Sequence, residues 1–398
     1  MVISYFSYVW DINGISAGAA VKSNEFIAAI RRKNHKVYLE WRTNQPEFQT
    51  AVNGQIETNR KENIKTLLRK YYREPRSYLI NIPRFFSEYS ILQKQQPDIL
   101  FSRHDYGNYA NLLLSKMLGI PLVVEVDCPP THEWSEFYAQ DAVKFGHFSL
   151  KVELDYLKKA DAVITQSTDL SQYYIEKGVP ADKITMITNA ADTNKIYPTT
   201  PDKDILEKYG LTGKIVVGWV GAGYAWTGID VLIEAVYKVM PQFKNVCFMM
   251  IGTEKNMKFF REKFANTEFF DRIKLVGYVP NNEISRYLSC MDIAIAPYPP
   301  LDFFYASSMK LFEYMAAGLG IVATRIGQLA EVISEGENGF LYNPENAAEL
   351  AEKITLLIND KKLRKKIGAA ARKDAESEYN WDSVGEKMIK VFEKVLDK

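Results

Sequence analysis

Residues 292–323 read DIAIAPYPPLDFFYASSMKLFEYMAAGLGIVA, and the fold of the whole chain is predicted from the pattern in this stretch. Asp292–Ala296 is a short apolar run that predicts a buried strand, and Ser308–Ala317 has the apolar spacing of a helix. Ile321–Ala323 is a second apolar run of the same kind. A strand, a helix and another strand in this order predict a parallel βαβ unit.

The same alternation recurs on both sides of this unit, with a pause between Tyr197 and Asp202. Two prolines and small polar residues at the pause indicate a linker. Further strands are predicted at residues 2–7, 36–40, 98–102, 121–126, 162–166, 184–188, 214–220, 246–251 and 273–276, and helices at 19–33, 109–118, 228–240 and from 347 onward. This alternation predicts an α/β fold with two doubly wound, Rossmann-like domains that face each other across a cleft.

The composition argues against several classes of protein. The chain has 398 residues, and its net charge of +1 does not favour a nucleic-acid binder. The sequence has neither an apolar run of about 20 residues, as a membrane span needs, nor a signal-peptide pattern, so we expect a cytoplasmic location. The three cysteines form no CxxC pair, and no Asp-x-Asp loop follows a strand, so we expect no metal.

The loop and helix of the βαβ unit at residues 292–323 combine three features of an anion-binding site. Ligands of open parallel sheets bind beyond the carboxyl ends of the strands. Ser307 or Ser308 is expected to cap the helix and Gly318 to end it, and the helix N-terminus offers N–H groups to a phosphate. Lys310 adds a cation in the first turn, and Glu313 lies where it can accept hydrogen bonds from a ribose. The alternative is an ordinary amphipathic helix with a surface lysine.

A second group of polar residues follows the predicted strand at 121–126. Asp127 comes directly after this strand and is the candidate to orient or deprotonate an acceptor hydroxyl, with an Asx turn as the alternative. The further candidates on the acceptor side are Arg103, His104, His132 and Glu133. For His104, a surface or turn position is the favoured interpretation.

Several short segments together resemble one known family. They are Gly14–Gly18 (GISAG), Thr188–Asp192 (TNAAD), Val276–Val279 (VGYV), Glu313 with Gly318–Thr324 (GLGIVAT), Glu337–Leu341 (ENGFL) and Tyr379–Trp381 (YNW). Their order and spacing are similar to the motifs of the family 4 retaining glycosyltransferases, which have the two-domain GT-B fold. The resemblance covers nearly the whole chain.

The resemblance implies a retaining transferase that moves a sugar from a UDP-sugar, GDP-sugar or similar donor to a hydroxyl acceptor, without a metal or cofactor. The acceptor would be a glycan, a lipid-linked sugar or a small molecule. Residues 1–197 would form the acceptor-side domain, 198–378 the nucleotide-sugar-binding domain, and 379–398 a helix that packs back on the N-terminal domain.

The candidate residues divide between catalysis and donor binding. The catalytic candidates are Lys310, Glu313 and Asp127, of which Asp127 stands where the family has a His. The donor-binding candidates are Gly14, Gly18, Gly221, Ala222, Gly223, Trp226, Thr227, Gly277, Tyr278, Val279, Tyr305, Ser307, Ser308, Met309, Lys310, Leu311 and Glu313.

Three further positions depart from the family's pattern. Tyr305 stands where the family has the first Glu of its Glu-x7-Glu pair. Ala222 and Thr227 stand where the family has the Arg and Lys that neutralise the donor pyrophosphate. Ser307–Lys310 resembles the Ser-x-x-Lys of a subgroup that also carries Trp-x-Gly near the glycine loop. We therefore hypothesise that Lys310 replaces the two missing cations.

Residues 60–86 are rich in Arg, Lys, Tyr and Phe, which suits an anionic membrane surface and a membrane-held acceptor. A solvated helix face is the alternative explanation.

Two other functions stay open at this point. A nucleotide-sugar epimerase on the same fold would need several acids and bases, which a chain with four histidines does not favour. A degenerate transferase that only binds a nucleotide-sugar or glycan is favoured by the missing Arg and Lys.

Overall fold

The computed structural model of the protein describes residues 1–8, 17–41, 72, 74–138, 143–221 and 227–397, and these contain two six-stranded sheets. The first sheet consists of β1 (Val2–Ser7), β2 (Lys36–Trp41), β3 (Ile99–Arg103), β4 (Leu122–Val126), β5 (Ala162–Thr165) and β6 (Ile184–Met186). The second consists of β7 (Ile215–Gly221), β8 (Val246–Gly252), β9 (Ile273–Gly277), β10 (Ile293–Ala296), β11 (Gly320–Thr324) and β12 (Phe340–Tyr342). Neighbouring strands are parallel throughout.

Helices alternate with these strands along the chain. They are α1 (Ala17–Arg32), α2 (Asn81–Gln95), α3 (Ala110–Leu118), α4 (Pro130–Glu133), α5 (Gly146–Lys159), α6 (Thr168–Glu176), α7 (Lys203–Tyr209), α8 (Ile229–Val239), α9 (Glu254–Phe264), α10 (Ile284–Leu288), α11 (Met309–Ala316), α12 (Gly327–Val332), α13 (Ala347–Asn359), α14 (Lys361–Ser377) and α15 (Trp381–Leu396). Separate apolar clusters lie on the two faces of the second sheet, so helices cover both faces.

The predicted α/β fold class is confirmed, and each predicted strand is present with ends within two residues of those expected. Strand β12 was not predicted, because three residues are too few for a periodic signal. The helical tail consists of three helices, and the side chain of Asp360 begins the second of them by accepting a hydrogen bond from the Leu363 N–H. Gly18, expected in a loop, lies in the first turn of α1.

The order of the strands determines where a ligand can approach each sheet. The second sheet has the order β12-β11-β10-β7-β8-β9, so the chain reverses direction across the sheet between β7 and β10. The first has the order β2-β1-β3-β4-β5-β6, with its reversal between β1 and β3. In open α/β sheets, ligands bind at the carboxyl ends of the strands beside such a reversal.

The chain divides into two compact units. The first contains Met1–Thr188 and Val384–Lys398, and the second contains Asn189–Ser383. The part of α15 in the first unit packs on that unit's core, where the Phe392 ring lies 5.3 Å from that of Phe101. Within the described residues, no helix combines the length and apolar character that crossing a bilayer requires.

Helix α14 is held in the second unit by partly buried hydrogen bonds from one arginine to the backbone. The Arg372 guanidinium donates to the carbonyl oxygens of Ile196, Ala316 and Thr193 at 2.7, 2.8 and 3.0 Å. Gly368 of the same helix lies so close to Gly318 that an added Cβ would overlap the Gly318 carbonyl oxygen. The turn that ends α11 is therefore packed directly against the backbone of α14.

Replacing Gly368 with alanine is expected to destabilise the second unit by about 1–3 kcal/mol, because the methyl group has no space and the two backbones must separate. Thermal unfolding followed by circular dichroism measures this as a melting point lowered by several degrees. Gly146→Ala is the matched control, because its added Cβ would lie at an ordinary 3.5 Å from the Val143 side chain. Equal melting points for the two variants would contradict the packing argument.

Candidate functional site

The first turn of α11 is left open by the side chains that were expected to close it. Ser308 occupies the N-cap position but makes no capping hydrogen bond. Its hydroxyl instead lies 2.9 Å from the Tyr298 hydroxyl, and the Ser307 hydroxyl accepts from the Asn189 N–H at 2.9 Å. The predicted serine cap is therefore wrong. A helix N-terminus without a side-chain cap keeps N–H groups for an anion.

Asn189 lies more than a hundred residues earlier in the chain and fixes Ser307, which precedes the N-cap residue of this helix. Its backbone N–H donates to the Ser307 hydroxyl, and its side-chain amide donates to the Ser307 carbonyl oxygen at 2.8 Å. Both residues are buried. The Thr188–Asp192 segment carried the family resemblance without an assigned role, and here Asn189 positions the start of α11.

Lys310 extends from this first turn toward the end of β7. Its amine lies 5.0 Å from the centre of the Tyr298 ring and 5.7 Å from that of Trp219. A side chain at Gly221 would bring a Cβ to 3.2 Å from this amine and to 2.6 Å from the Trp219 ring. Because Gly221 has no side chain, space remains open in front of the Lys310 amine. This space lies at the end of β7, beside the point where the strand order reverses between β7 and β10.

Glu313 lies one turn further along α11 and is 9% exposed. Burial raises the pKa of this carboxyl to about 7, while a hydrogen bond from Asn281 and the charge of Lys310 oppose the shift. The Asn281 amide donates to Glu313 at 3.4 Å. This contact brings the loop after β9 to α11. Asn281 was not predicted, and its only signal was its place in the loop that follows a strand.

The remaining donor-binding candidates are in different environments. Gly277 ends β9 with φ of +89°, and Tyr278 beside it is 67% exposed. Val279, Met309 and Tyr305 are half-buried, and the Tyr305 ring lies 5.3 Å from that of Phe303. Leu311 is 1% exposed and packs in the core, so a donor contact of this residue stays a prediction. Thr227 is buried, and the candidates outside the described residues are Gly14, Ala222, Gly223 and Trp226.

Asp127 lies between two cations of the first unit. Its carboxylate forms ion pairs with Lys22 and with Arg103. Lys22 also pairs with Glu125 at 2.6 Å, and Glu125 accepts from the Tyr5 hydroxyl at 2.8 Å. Burial alone would raise the pKa of Asp127, but the charges of Arg103 and Lys22 outweigh it and lower the pKa. An ionised carboxylate of this kind can orient a hydroxyl but is a weak proton acceptor.

The other acceptor-side candidates lie around the ends of β3 and β4. His104 is buried, so its expected surface position is wrong. Its ring stacks 5.2 Å from that of Tyr156, and burial lowers its pKa to about 3. His132 is half-buried, and burial lowers its pKa. Glu133 accepts a hydrogen bond from the Cys128 thiol at 2.8 Å.

In the predicted basic stretch at 60–86, residues 60–71 and 73 lie outside the described part of the chain. Arg84, one of the arginines of this stretch, is buried. Its guanidinium lies 4.3 Å over the Tyr8 ring and 3.7 Å from the Asp105 carboxylate. Arg84 therefore stabilises the interior of the first unit and is not available to a membrane.

A cavity of about 580 Å³ opens beside the N-terminus of α8. Its lining includes the predicted donor residue Thr227 but neither Lys310 nor Glu313. The charged residues of its walls are Lys255, Lys258, Asp230, Glu262 and Glu345. Because both signs are present, the cavity does not select an anionic ligand. Among the described residues, no group of three His, Cys, Asp or Glu side chains could hold a metal ion.

Comparison with known proteins matches both halves of the chain. Residues 17–195 match the model "Glycosyltransferase Family 4", and residues 214–360 match "Glycosyl transferases group 1". Spore coat protein SA of Bacillus subtilis is 28% identical over 202 residues, which are 48% of this chain and 52% of that protein. The match thus spans about half the length of this relative. Alpha-maltose-1-phosphate synthase of Mycolicibacterium smegmatis is 23% identical over 316 residues, covering 75% of this chain and 79% of that protein.

Solved structures share the fold over the whole chain. The crystal structure of Anabaena HepE in complex with UDP-glucose superposes with a TM-score of 0.70 at 20% identity, and the alignment covers 99% of this chain and 100% of that one. At this level of identity, the likeness establishes the fold.

Glu313→Gln is expected to stabilise the protein at high pH. A carboxyl whose folded pKa is raised from 4.5 to about 7 costs the folded state free energy as pH rises through this window, up to about 3 kcal/mol. The amide does not ionise, so the gap in unfolding free energy between variant and wild type should widen from pH 5.5 to pH 8. Urea unfolding at both pH values measures it, with the exposed Glu207→Gln as control. A gap that does not change with pH would refute the buried-carboxyl interpretation.

Proposed function

Since glycosyltransferase models match both halves of the chain, the chain is a glycosyltransferase with the GT-B fold, and we propose that its donor is a nucleoside-diphosphate sugar. The observation that carries this proposal is the Lys310 amine, which faces Gly221 at the reversal of strand order while the adjoining helix N-terminus has no side-chain cap. A cation and free N–H groups at one point suit a diphosphate.

Lys310 and the first turn of α11 would stabilise the departing diphosphate. Negative charge grows on this group as the bond to the sugar breaks, so oriented donors there lower the barrier. Ala222 and Thr227 supply no cation at the positions where the family has Arg and Lys. Lys310 is therefore proposed to carry the charge that the two missing residues would have provided.

Glu313 would bind the ribose of the donor. Its carboxylate lies one turn beyond Lys310 and is reached by Asn281 from the loop after β9. An ionised carboxylate accepts hydrogen bonds from two vicinal hydroxyls, which a ribose offers. Because the pKa of Glu313 is about 7 without ligand, nucleotide binding should strengthen as pH rises through 7. UDP-glucose, which is bound in the structure of Anabaena HepE, is the first donor to test.

The transfer is proposed to proceed with retention of configuration and without a metal. The bond from the anomeric carbon to the diphosphate oxygen breaks, and the bond from that carbon to the acceptor oxygen forms on the same face. The acceptor proton passes to the departing phosphate oxygen, so a strong protein base is not required. Asp127, ionised between Lys22 and Arg103, would orient an acceptor hydroxyl of a glycan, a lipid-linked sugar or a small molecule.

Lys310→Ala is expected to lower turnover of the preferred donor by about 10²–10³-fold, the usual cost of one oriented donor to a developing anion. Lys310→Arg should recover part of the rate, and the exposed Lys244→Ala of the same unit should leave it unchanged. Near wild-type turnover in Lys310→Ala would contradict the proposed role.

Calorimetric titration of UDP, GDP and their sugar esters in the presence of EDTA identifies the nucleotide class and separates binding from turnover. One class of nucleotide should bind the wild-type protein. Glu313→Ala should weaken this binding, because the hydrogen bonds to the ribose are lost. If a nucleotide-sugar binds without any metal but is never transferred, the chain acts as a binding module. If it binds only when a divalent cation is restored, the metal-independent mechanism is wrong.

A further inference from the structure

Tyr298 follows strand β10 by two residues, and contacts on several sides fix its position. Its side chain is buried. Its backbone N–H donates to the Thr324 hydroxyl at 2.8 Å, and its ring lies 4.9 Å from that of Phe304, edge to face. Gly228 comes so close that an added Cβ would lie 2.7 Å from the Tyr298 backbone nitrogen. The ring and hydroxyl of Tyr298 are therefore held in one place at the carboxyl end of the second sheet.

This side chain contacts two residues at the start of α11. The Tyr298 hydroxyl donates to the Ser308 hydroxyl at 2.9 Å, and the Tyr298 ring lies 5.0 Å from the Lys310 amine. Ser308 is buried at the N-cap position, but its hydroxyl makes no hydrogen bond to an N–H group of the helix. One tyrosine thus contacts both the cation and the N-cap residue of the candidate donor site.

A serine at the N-cap usually has a different partner. Its hydroxyl accepts a hydrogen bond from the backbone N–H of the second or third helical residue, which in α11 are Lys310 and Leu311. The Leu311 N–H already donates to the Ser308 carbonyl oxygen at 3.0 Å. A Ser308 hydroxyl released from Tyr298 would therefore accept from the Lys310 N–H. That contact would occupy one of the N–H groups that a helix N-terminus offers to an anion.

We propose that Tyr298 is a positioning residue, which keeps the N-terminus of α11 open for the donor diphosphate by holding the Ser308 hydroxyl away from the Lys310 N–H. This inference rests on the proposed donor site and adds a residue to it. Because the cap and the diphosphate compete for the same N–H group, a closed cap weakens nucleotide binding. The buried hydroxyl pair of Tyr298 and Ser308 therefore serves binding, although it lies inside the unit.

Amide hydrogen exchange of the protein without nucleotide tests the control of the cap. Tyr298→Phe removes the hydroxyl but keeps the ring beside the Lys310 amine. Exchange of the Lys310 N–H should slow several-fold in this variant, because Ser308 is released to cap the helix. Tyr298→Phe combined with Ser308→Ala should exchange as wild type does, because alanine has no hydroxyl. Unchanged exchange in Tyr298→Phe would overturn the proposal.

Calorimetric titration with UDP and with GDP tests the consequence for the donor. Tyr298→Phe should bind the nucleotide that wild type prefers about fivefold more weakly, which corresponds to one N-cap hydrogen bond. Adding Ser308→Ala should restore the affinity, whereas a merely structural hydroxyl would leave the double variant at least as weak. Ser308→Ala alone should bind as wild type does. A loss there as large as in Tyr298→Phe would make Ser308 a direct contact and overturn the proposal.

Tyr174→Phe is the matched control. Tyr174 is also buried, and its hydroxyl donates one hydrogen bond, to Glu153 at 2.8 Å, but it lies in the first unit. It should change neither the exchange at Lys310 nor the affinity for nucleotide. Slower exchange in Tyr298→Phe with unchanged affinity would overturn the proposal. Slower exchange in a protein whose wild type binds neither nucleotide would support the control of the cap and refute the proposed donor.

Discussion

The reversal of strand order between β7 and β10 is the constraint on which the candidate donor site depends. Because β10 pairs with β7, the loops that follow these two strands diverge at the carboxyl edge of the sheet. Gly221 ends one strand without a side chain, and Tyr298 follows the other. The amine of Lys310 reaches the space between them. The candidate site therefore depends on the order of the strands in the sheet as well as on the sequence of α11.

The two units place their cations in different environments. In the second unit, Lys310 lies over two aromatic rings at a helix N-terminus without a side-chain cap, an arrangement suited to an arriving anion. In the first unit, Lys22 and Arg103 pair with Asp127, and this neutralised cluster holds a carboxylate in a defined position. Buried pairs of this kind contribute more to placing a group than to stability. The contrast fits a protein that binds a charged donor on one unit and an uncharged hydroxyl on the other.

Sequence reasoning failed where a side chain had two alternatives of similar local plausibility. Ser308 was expected to cap α11, but the Tyr298 hydroxyl competes for it. Arg84 belongs to the basic stretch at 60–86 that was expected at the surface, but it lies inside the unit against Asp105 and the Tyr8 ring. A surface or turn position was favoured for His104, but it is buried directly after β3 with its ring stacked on that of Tyr156. In each case the deciding partner is not a sequence neighbour, so no local pattern could reveal it.

The sequence by itself determined the alternation of strands and helices, the parallel sheets that follow from it, and the candidates Lys310 and Glu313 in a loop and helix after a strand. These depend on apolar periodicity and on spacing within a few residues, which neighbouring positions encode. Only the tertiary structure decided that Asn189 holds Ser307, that Lys22 and Arg103 keep Asp127 ionised, and that Glu74 accepts the backbone N–H of Lys144 from a distant part of the chain. Strand order and burial bring these residues into contact. Because both depend on the whole chain, no single stretch of sequence could predict the contacts.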